Sequence, residues 1–460
     1  MKPLRSALTA RQVGPRTVTR RNAVTDLAVR GDQSAGLWRE RDAELISPAY
    51  SRYSDLVIDH ALGAHLHTVD GRDVLDFGCG IGVTNLGHLH PAVVKAVHEQ
   101  VDRLWHTSVT ALSPPMVDAA AALVAVSPEG LDQVFLNNSG AEALESSIKL
   151  ARRATGRTEI IAFTGGFHGR TYGALTLTAS KARYREGMGP FLPGVHHVRY
   201  PHCFRYCAHR ADEECPIARG DEIEHLFKTT VPPDTVAAIV VEPLQGEGGF
   251  VVPPATFLPR LREICNQRGI LLVCDEVQSG FGRTGRFFCV EHTGTQPDIM
   301  CVAKAFGNGL PIAGLVATHA VMSHWHPGEH GTTYGGNAVA CAAAIAVIDT
   351  MRRDRLADRA ARLGARVLQR LRGWRDEFEE VGDVRGLGLM IGIELMRGGR
   401  PAADLVSSIQ RRCVERDLLI LTCGIDDNVI RMLPPLTIDE ADLDRGVDIL
   451  ESCVREEVGR

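Results

Sequence analysis

Short, mostly apolar runs recur along the chain and alternate with stretches whose apolar residues fall at helical spacing. Gln133–Leu136, Ile160–Phe163, Ala237–Val241, Ile270–Cys274, Ile299–Val302 and Leu315–Thr318 are too short for helices and too continuously apolar for half-exposed strands. Strands buried on both faces read this way, as in a largely parallel sheet covered by helices. Pro91–Leu104 is predicted to be an amphipathic helix opened by its proline. Ala141–Ala154 is a second helix, ended by Gly156. His67–Phe77 reads as a hairpin around Asp70-Gly71, because Asp-Gly tolerates the positive φ of a tight turn. From about Asn337 the texture changes to a long Ala- and Arg-rich helix. That helix leads into Val384–Leu395, a glycine-punctuated strand pair, and then into two more helical segments. The prediction is an α/β protein with an amino-terminal segment over 1–65, a large domain over 66–340 and a small α+β domain over 341–460. Residues 66–95 are candidates to pack with the small domain.

Composition narrows the function. A chain of 460 residues, 44% hydrophobic and 23% charged, can bury a large core without staples. Its 51 basic and 56 acidic residues leave a net charge of −5, which offers no global field for nucleic acid. No run approaches the roughly 18 apolar residues of a membrane span. The 12 cysteines are scattered and no secretory signal precedes them, so reduced thiols and a cytoplasmic location are expected. Residues 1–30 carry six arginines and Lys2 against the single acid Asp26. Arg20-Arg21 lacks the apolar core of an export signal behind it, so this stretch reads as a solvated basic arm.

Three motifs attract a wrong reading. Val74–Gly82 looks like the first glycine loop of an S-adenosylmethionine methyltransferase, but Gly87 falls where a helix should start and no ribose-holding acid follows. Gly280–Gly285 matches G-x-G-x-x-G, yet a pyrophosphate needs those amides at a helix N-terminus. Here Arg286–Thr293 reads as aromatic and β-like, and Asp275-Glu276 just upstream would repel phosphate. His202, Cys203, Cys207, His209 and Cys215 lie close together, but the second ligand pair of a zinc site is incomplete and the spacing irregular. They read as a surface loop with reduced cysteines. A metal or redox site is the weaker alternative, and no metal ligand is assigned.

One constellation fits together. A cofactor with an aldehyde, a phosphate and a pyridine ring needs a lysine to hold the aldehyde and a carboxylate to keep the ring nitrogen protonated. It also needs a backbone cradle for the phosphate and an aromatic face for the ring. Asp275 ends an apolar strand, where open α/β sheets present groups to ligands. Lys304 follows another strand among the small residues Ala303, Ala305 and Gly307, where desolvation lowers an amine's pKa. Ser139-Gly140-Ala141 joins a strand to a helix, so its amides and the helix dipole suit an anion. Taken singly these are a turn former, a loop lysine and a helix cap. Their conjunction carries the reading.

On these residues the chain resembles the class III pyridoxal-phosphate aminotransferases of fold type I. The resemblance runs from Asp76–Pro91 through Asn138–Arg152, Gly165–Thr171, Val241–Phe250, Leu272–Gly285 and Asp298–Gly307 to Thr332–Ala340. It implies a mostly parallel seven-stranded sheet covered by helices, with a smaller α+β domain closing over the site. It implies that Lys304 binds the cofactor and shuttles the proton, that Asp275 holds the ring nitrogen, and that Gln278 meets the ring's phenolic oxygen. Phe167 would stack on the ring, His168 and Val277 would complete its pocket, and Ser139, Gly140 and Ala141 would bind the phosphate. Thr333 would reach the phosphate from a second subunit, making a homodimer the functional unit, with a dimer of dimers left open.

For the substrate, Arg170 matches the arginine that grips a carboxylate in 4-aminobutyrate, ornithine and acetylornithine aminotransferases. Glu247 and Arg385 match a pair in which the glutamate masks the arginine while an ω-amine reacts, then yields it to the α-carboxylate of 2-oxoglutarate. Ile81 would lie near the substrate. The resemblance therefore implies ping-pong transfer from a 4-aminobutyrate-like ω-amino acid to 2-oxoglutarate. Cys79 stands where a serine is frequent, and the His202–Cys215 loop is closer to archaeal-type members, so two alternatives stay open. One is an amino-acid racemase on the same scaffold; the other is an aminotransferase for ornithine, lysine or a secondary-metabolite amine or ketone.

Overall fold

The computed structural model describes residues 34–207 and 215–458. The basic arm over 1–30 and His209 lie outside them. The chain divides into two units, Met1–Ser51 and Arg52–Arg460. In the first, Ala35–Leu45 is a helix with no buried residue, and Arg41 lies 5.2 Å over the ring of Trp38.

The second unit contains three sheets. Strands β1 (Ile58–Leu62), β2 (His65–Thr68) and β3 (Asp73–Asp76) form an antiparallel meander, with the predicted turn at Asp70-Gly71 between the last two. Gly71 has φ +86°, the conformation that makes glycine useful there. The fourth strand of this sheet comes from far along the chain: Leu418–Leu419 runs parallel to β3, with Leu418 opposite Leu75.

The central sheet holds β4 (Gln133–Asn137), β5 (Glu159–Phe163), β6 (Val195–Val198), β7 (Val236–Val241), β8 (Leu271–Asp275), β9 (Ile299–Val302) and β10 (Ala313–Ala317), in the order β4-β10-β9-β8-β7-β5-β6. Every neighbour pair from β9 to β6 is parallel, and β10 runs against both of its neighbours. Strand residues alternate between faces, and the core follows that rule. Ala238 and Val240 pack with Val273, Ile299 and Cys301 in the cluster that contains the buried side of helix Gly140–Thr155. Ile239 and Val241 join Leu272, Cys274 and Met300 with Phe257, Leu258 and Leu261 of helix Phe257–Arg268. Burial on both faces explains the unbroken apolar runs, each fully buried aliphatic side chain contributing about 1.5–3 kcal/mol.

The third sheet is antiparallel. It begins with β11 (Val381–Leu387) and β12 (Met390–Arg397), the predicted glycine-punctuated pair, and continues through Val429–Met432 to Leu421–Cys423. Helices Leu356–Arg372, Ala403–Glu415 and Glu440–Val458 accompany it. Among the described residues, no helix is long and apolar enough to cross a membrane.

One local expectation fails. Arg286–Thr293 contains no strand; it bends into a 3-10 turn at Cys289–His292. Its aromatic character serves packing instead, since Phe287 and Phe288 lie against Phe281, which stacks on Phe306. The preceding glycine motif wraps the fully buried Arg283, whose Nη1 donates to the carbonyls of Pro434 (2.6 Å) and Leu389 (3.2 Å).

Helix Leu356–Arg372 meets the β11–β12 turn so closely that a Cβ at Gly364 would lie 1.9 Å from the carbonyl oxygen of Gly388. Gly364→Ala is expected to lower stability by about 1–3 kcal/mol through this clash, despite a gain of up to about 1 kcal/mol in helix propensity. Thermal unfolding checks this, and an unchanged or raised midpoint would refute the close approach.

Candidate active site

The carboxyl ends of β7, β8 and β9 and the start of helix Gly140–Thr155 converge on a cavity of about 480 Å³. Open α/β sheets bind ligands at this edge. Asp275, the last residue of β8, is buried; its Oδ2 lies 2.7 Å from Nδ1 of His168 and its Oδ1 accepts the Val277 amide at 3.0 Å. Burial works to lower the pKa of His168, but the hydrogen bond and charge of Asp275 outweigh it and raise the value. Next to this pair sits Glu242, immediately after β7, which accepts the amides of Phe167 and Gly246, both at 2.8 Å. Burial pushes the Glu242 carboxyl up to about 7, with His168 opposing the rise and Asp275 adding to it.

Lys304 follows β9 and faces the cavity from a left-handed backbone position, φ +49°. Non-glycine residues adopt that region infrequently, and such positions recur at ligand sites. Its amine has no hydrogen-bonded or ion-paired partner among the described residues. Burial pulls its pKa down to about 8; the Arg431 charge assists, while Asp275, Glu242 and Glu247 oppose. Gly140 opens a helix of 16 residues and, with Ala141, lines the cavity. A Cβ at Gly140 would meet a Val277 methyl at 2.9 Å, so only glycine lets this amide turn approach. Ser139 caps the helix by accepting the Glu142 amide at 3.3 Å and does not line the cavity. Phe167, Val277, Gln278 and Ile81 all line it. Thr333 sits exposed and does not reach the cavity of its own chain.

Arg170 also faces the cavity, with its guanidinium 3.7 Å over the ring of Tyr184. The Tyr184 hydroxyl donates to Glu247 Oε1 at 2.9 Å, and Lys181 Nζ lies 3.4 Å from the same oxygen. The arginine on Glu247 is not the expected one. Arg431 Nη1 lies 3.0 Å from Glu247 Oε2, and Arg431 Nη2 donates to the Tyr53 hydroxyl at 2.9 Å. Arg385 turns away from the cavity. Its Nη1 contacts Asp383 (2.9 Å) and Glu394 (2.6 Å), and its Nη2 donates to the Gly249 carbonyl at 2.6 Å. Gly392 of β12 faces Arg385 on one neighbouring strand and Arg431 on the other. The two arginines share one row across the sheet, one strand to either side of Gly392, and only Arg431 lines the cavity.

Sequence reasoning therefore missed Arg431, Tyr53, Tyr184, Lys181 and Glu242. A signal existed for the first, because a lone arginine inside the apolar run Val429–Met432 announces a buried charge that needs a partner. The donor set fits pyridoxal phosphate on the molecule's own features. An unpartnered amine of low basicity shares one cavity with a fixed buried carboxylate, a helix N-terminus and an aromatic face. Lys304 would hold its aldehyde, Asp275 its ring nitrogen, and Gly140 with Ala141 its phosphate.

The family model for Aminotransferase class-III matches residues 46–454. The 5-aminovalerate aminotransferase of Pseudomonas aeruginosa is 43% identical over 407 residues, covering 87% of this chain and 94% of its own. The 4-aminobutyrate aminotransferase of Escherichia coli is 39% identical over 424 residues, covering 91% and 97%. A crystal structure of a thermostable (S)-enantioselective omega-transaminase from Thermomicrobium roseum superposes with a TM-score of 0.87 at 31% identity, covering 93% of this chain and all of that one. With the cavity arranged as it is, these likenesses make the chain a member of the class III aminotransferases, enzymes that depend on pyridoxal phosphate.

Proposed function

We propose that the enzyme moves the amino group of an unbranched ω-amino acid of four or five carbons to 2-oxoglutarate. The observation that carries this reading is Glu247 lying on Arg431 inside the cavity that holds Lys304. Pyridoxal phosphate, when bound, supplies an aldehyde that exchanges amino groups and a ring that draws electrons from the carbon bearing the amine. Arg170 takes the distal carboxylate of the donor, since a guanidinium matches a carboxylate with paired hydrogen bonds. With Arg431 neutralised by Glu247, the other end of the cavity suits a carbon that carries an amine and no carboxylate. When 2-oxoglutarate enters, Glu247 yields Arg431 to its α-carboxylate, and Tyr184 and Lys181 stand ready to keep the displaced glutamate. Lys304 Nζ, whose burial pulls its pKa down to about 8 and so brings the neutral amine within reach near neutral pH, takes and returns the proton at the reacting carbon. Asp275, oriented by His168, keeps the ring nitrogen protonated. The names of the two bacterial relatives support the donor class, and their shared activity favours transamination over racemisation.

The functional unit in this reading is a homodimer in the cytoplasm, with Thr333 completing the phosphate site of a second copy. Trp105, Val109, Leu112 and Tyr334 are all exposed, Leu112 to 95%, with Tyr334 against the ring of His106 beside Trp105, and apolar surface of this kind supports it.

The reading is tested by single-turnover absorbance titration of the holoenzyme. 5-Aminovalerate or 4-aminobutyrate should bleach the visible cofactor band, and 2-oxoglutarate should restore it; a band indifferent to both donors would sink the proposed donor class. Arg431→Ala should raise the KM for 2-oxoglutarate by about 10- to 150-fold, the equivalent of roughly 1.5–3 kcal/mol for a charged hydrogen bond. The donor half-reaction should change far less. Equal losses in both halves, or a selective loss in Arg385→Ala instead, would refute the assignment.

Lys304 also gives a pH prediction for the cofactor-free protein. Its folded pKa is lowered from 10.5 to about 8, so between those values the unfolded chain binds more protons and stability rises with pH. Below about 8 the whole penalty is present. Cofactor-free Lys304→Met should therefore be more stable than cofactor-free wild type at pH 7, by on the order of 1–3 kcal/mol. The gap should narrow as pH climbs from 8 toward 10.5, and denaturant unfolding across that range measures it. A gap that ignores pH would show that Lys304 is not held in a desolvated site.

A further inference from the structure

Three cysteines remote from the reaction converge more closely than their spacing suggests. Helix Cys203–Tyr206 makes one turn, so Cys207 follows Cys203 on the same face, and its amide donates to the Cys203 carbonyl at 3.0 Å. Cys215 opens the next turn, its carbonyl accepting the Arg219 amide at 3.1 Å. The three sulfurs lie within 4.8 Å of one another, with Cys207 Sγ 2.7 Å from Cys215 Sγ. Cys207 and Cys215 are buried and Cys203 is half-buried, so these thiols are not the surface groups expected of them.

Neutral thiols packed side by side gain little, since each is a weak hydrogen-bond donor and a small hydrophobe that alanine or valine would replace. A disulfide needs sulfurs about 2.05 Å apart and would leave the third beside it without a task. Zinc binds thiolate at about 2.3 Å, which sets two sulfurs on one tetrahedral ion roughly 3.8 Å apart. One pair, at 2.7 Å, is closer than that, and all three sulfurs lie within 4.8 Å of one another, near enough for a single ion to gather them. We propose that Cys203, Cys207 and Cys215 form a structural site for a thiophilic divalent cation, zinc by preference, with a non-cysteine ligand in the fourth position. Binding breaks three S–H bonds, forms three metal–sulfur bonds and releases three protons to solvent.

The location gives such a site a mechanical purpose. His202 and Arg205, on either side of Cys203, both reach Glu394, with His202 Nε2 at 3.4 Å from its Oε2. Glu394 holds Arg385, and Arg385 holds the carbonyl of Gly249, two residues after Glu247. The cation would pin the loop whose side chains brace that chain of contacts.

The test uses holoenzyme purified without chelator or added thiol-reactive reagent. Elemental analysis should find about one zinc per chain, released by a mercurial in step with thiol modification. Cys203→Ser, Cys207→Ser and Cys215→Ser should each lose most of it while Cys341→Ser keeps it, with the cofactor absorbance reporting that each variant is folded. Should the serine variants not fold, cobalt exchanged into wild-type holoenzyme decides: a near-ultraviolet thiolate-to-cobalt band is expected. The proposal is overturned by zinc-supplemented protein holding less than about a tenth of an equivalent of any transition metal, by metal retained in all three serine variants, by wild-type cobalt uptake without a thiolate band, or by peptide mapping that finds Cys207 joined to Cys215.

Discussion

The 2.7 Å contact between Asp275 and His168 is the fixed point around which the cavity is assembled. A buried carboxylate costs several kcal/mol unless it is paired and hydrogen-bonded. Here one oxygen meets the imidazole and the other accepts a backbone amide, so the group is satisfied and cannot rotate. Everything else is placed relative to it. β7 delivers Glu242 beside it, β9 delivers Lys304, and the turn before helix Gly140–Thr155 packs against Val277, two residues further on. The sheet supplies this precision because its strands are gripped from both faces. No strand can slide by one residue without turning its whole apolar set inside out.

A second buried group, Arg431, shows how charge is kept ready without being spent. It is fully buried, and Glu247 and Tyr53 satisfy its two terminal nitrogens. Removing Glu247 would leave an uncompensated buried charge, which is why such pairs are costly to break but can be exchanged for another carboxylate. Glu247 has other partners within reach, the Tyr184 hydroxyl and Lys181, whose amine is also paired with Asp427. The glutamate therefore sits between two cationic neighbours and a phenol, a setting in which a small displacement changes its partner without desolvating anything new.

Much of this was legible from the sequence, for identifiable reasons. Strands β4, β5 and β7 to β10 were found because burial on both faces makes them continuously apolar, and Asp275, Lys304 and Gly140 because strand ends and helix starts are visible in one dimension. The Glu247 partner was not. Arg385 and Arg431 lie across from the same glycine on opposite sides of β12, and a choice between them depends on which neighbour of β12 borders the cavity. Ser139 caps the helix beside the cavity without lining it, a distinction that motif matching cannot make. Aromatic density misled at Arg286–Thr293, where Phe287 and Phe288 record a packed cluster and not a strand. The cysteine spacing misled in the opposite direction. A single helical turn and one buried turn bring together sulfurs that look scattered when read along the chain.

The strand Leu418–Leu419 lies parallel to β3, and the loop that follows β3 carries Gly80, Ile81 and Val83 into the cavity wall. Those residues are among the first of the second unit to leave a ribosome, yet the strand that holds them is made more than three hundred residues later. Pairings of such long sequence separation form late, after local structure and the central sheet. The wall of the cavity must therefore wait for nearly the whole polypeptide. A nascent chain can assemble the apolar framework around Asp275 and Lys304 while its substrate side stays unfinished, so cofactor capture can precede the ability to discriminate what enters.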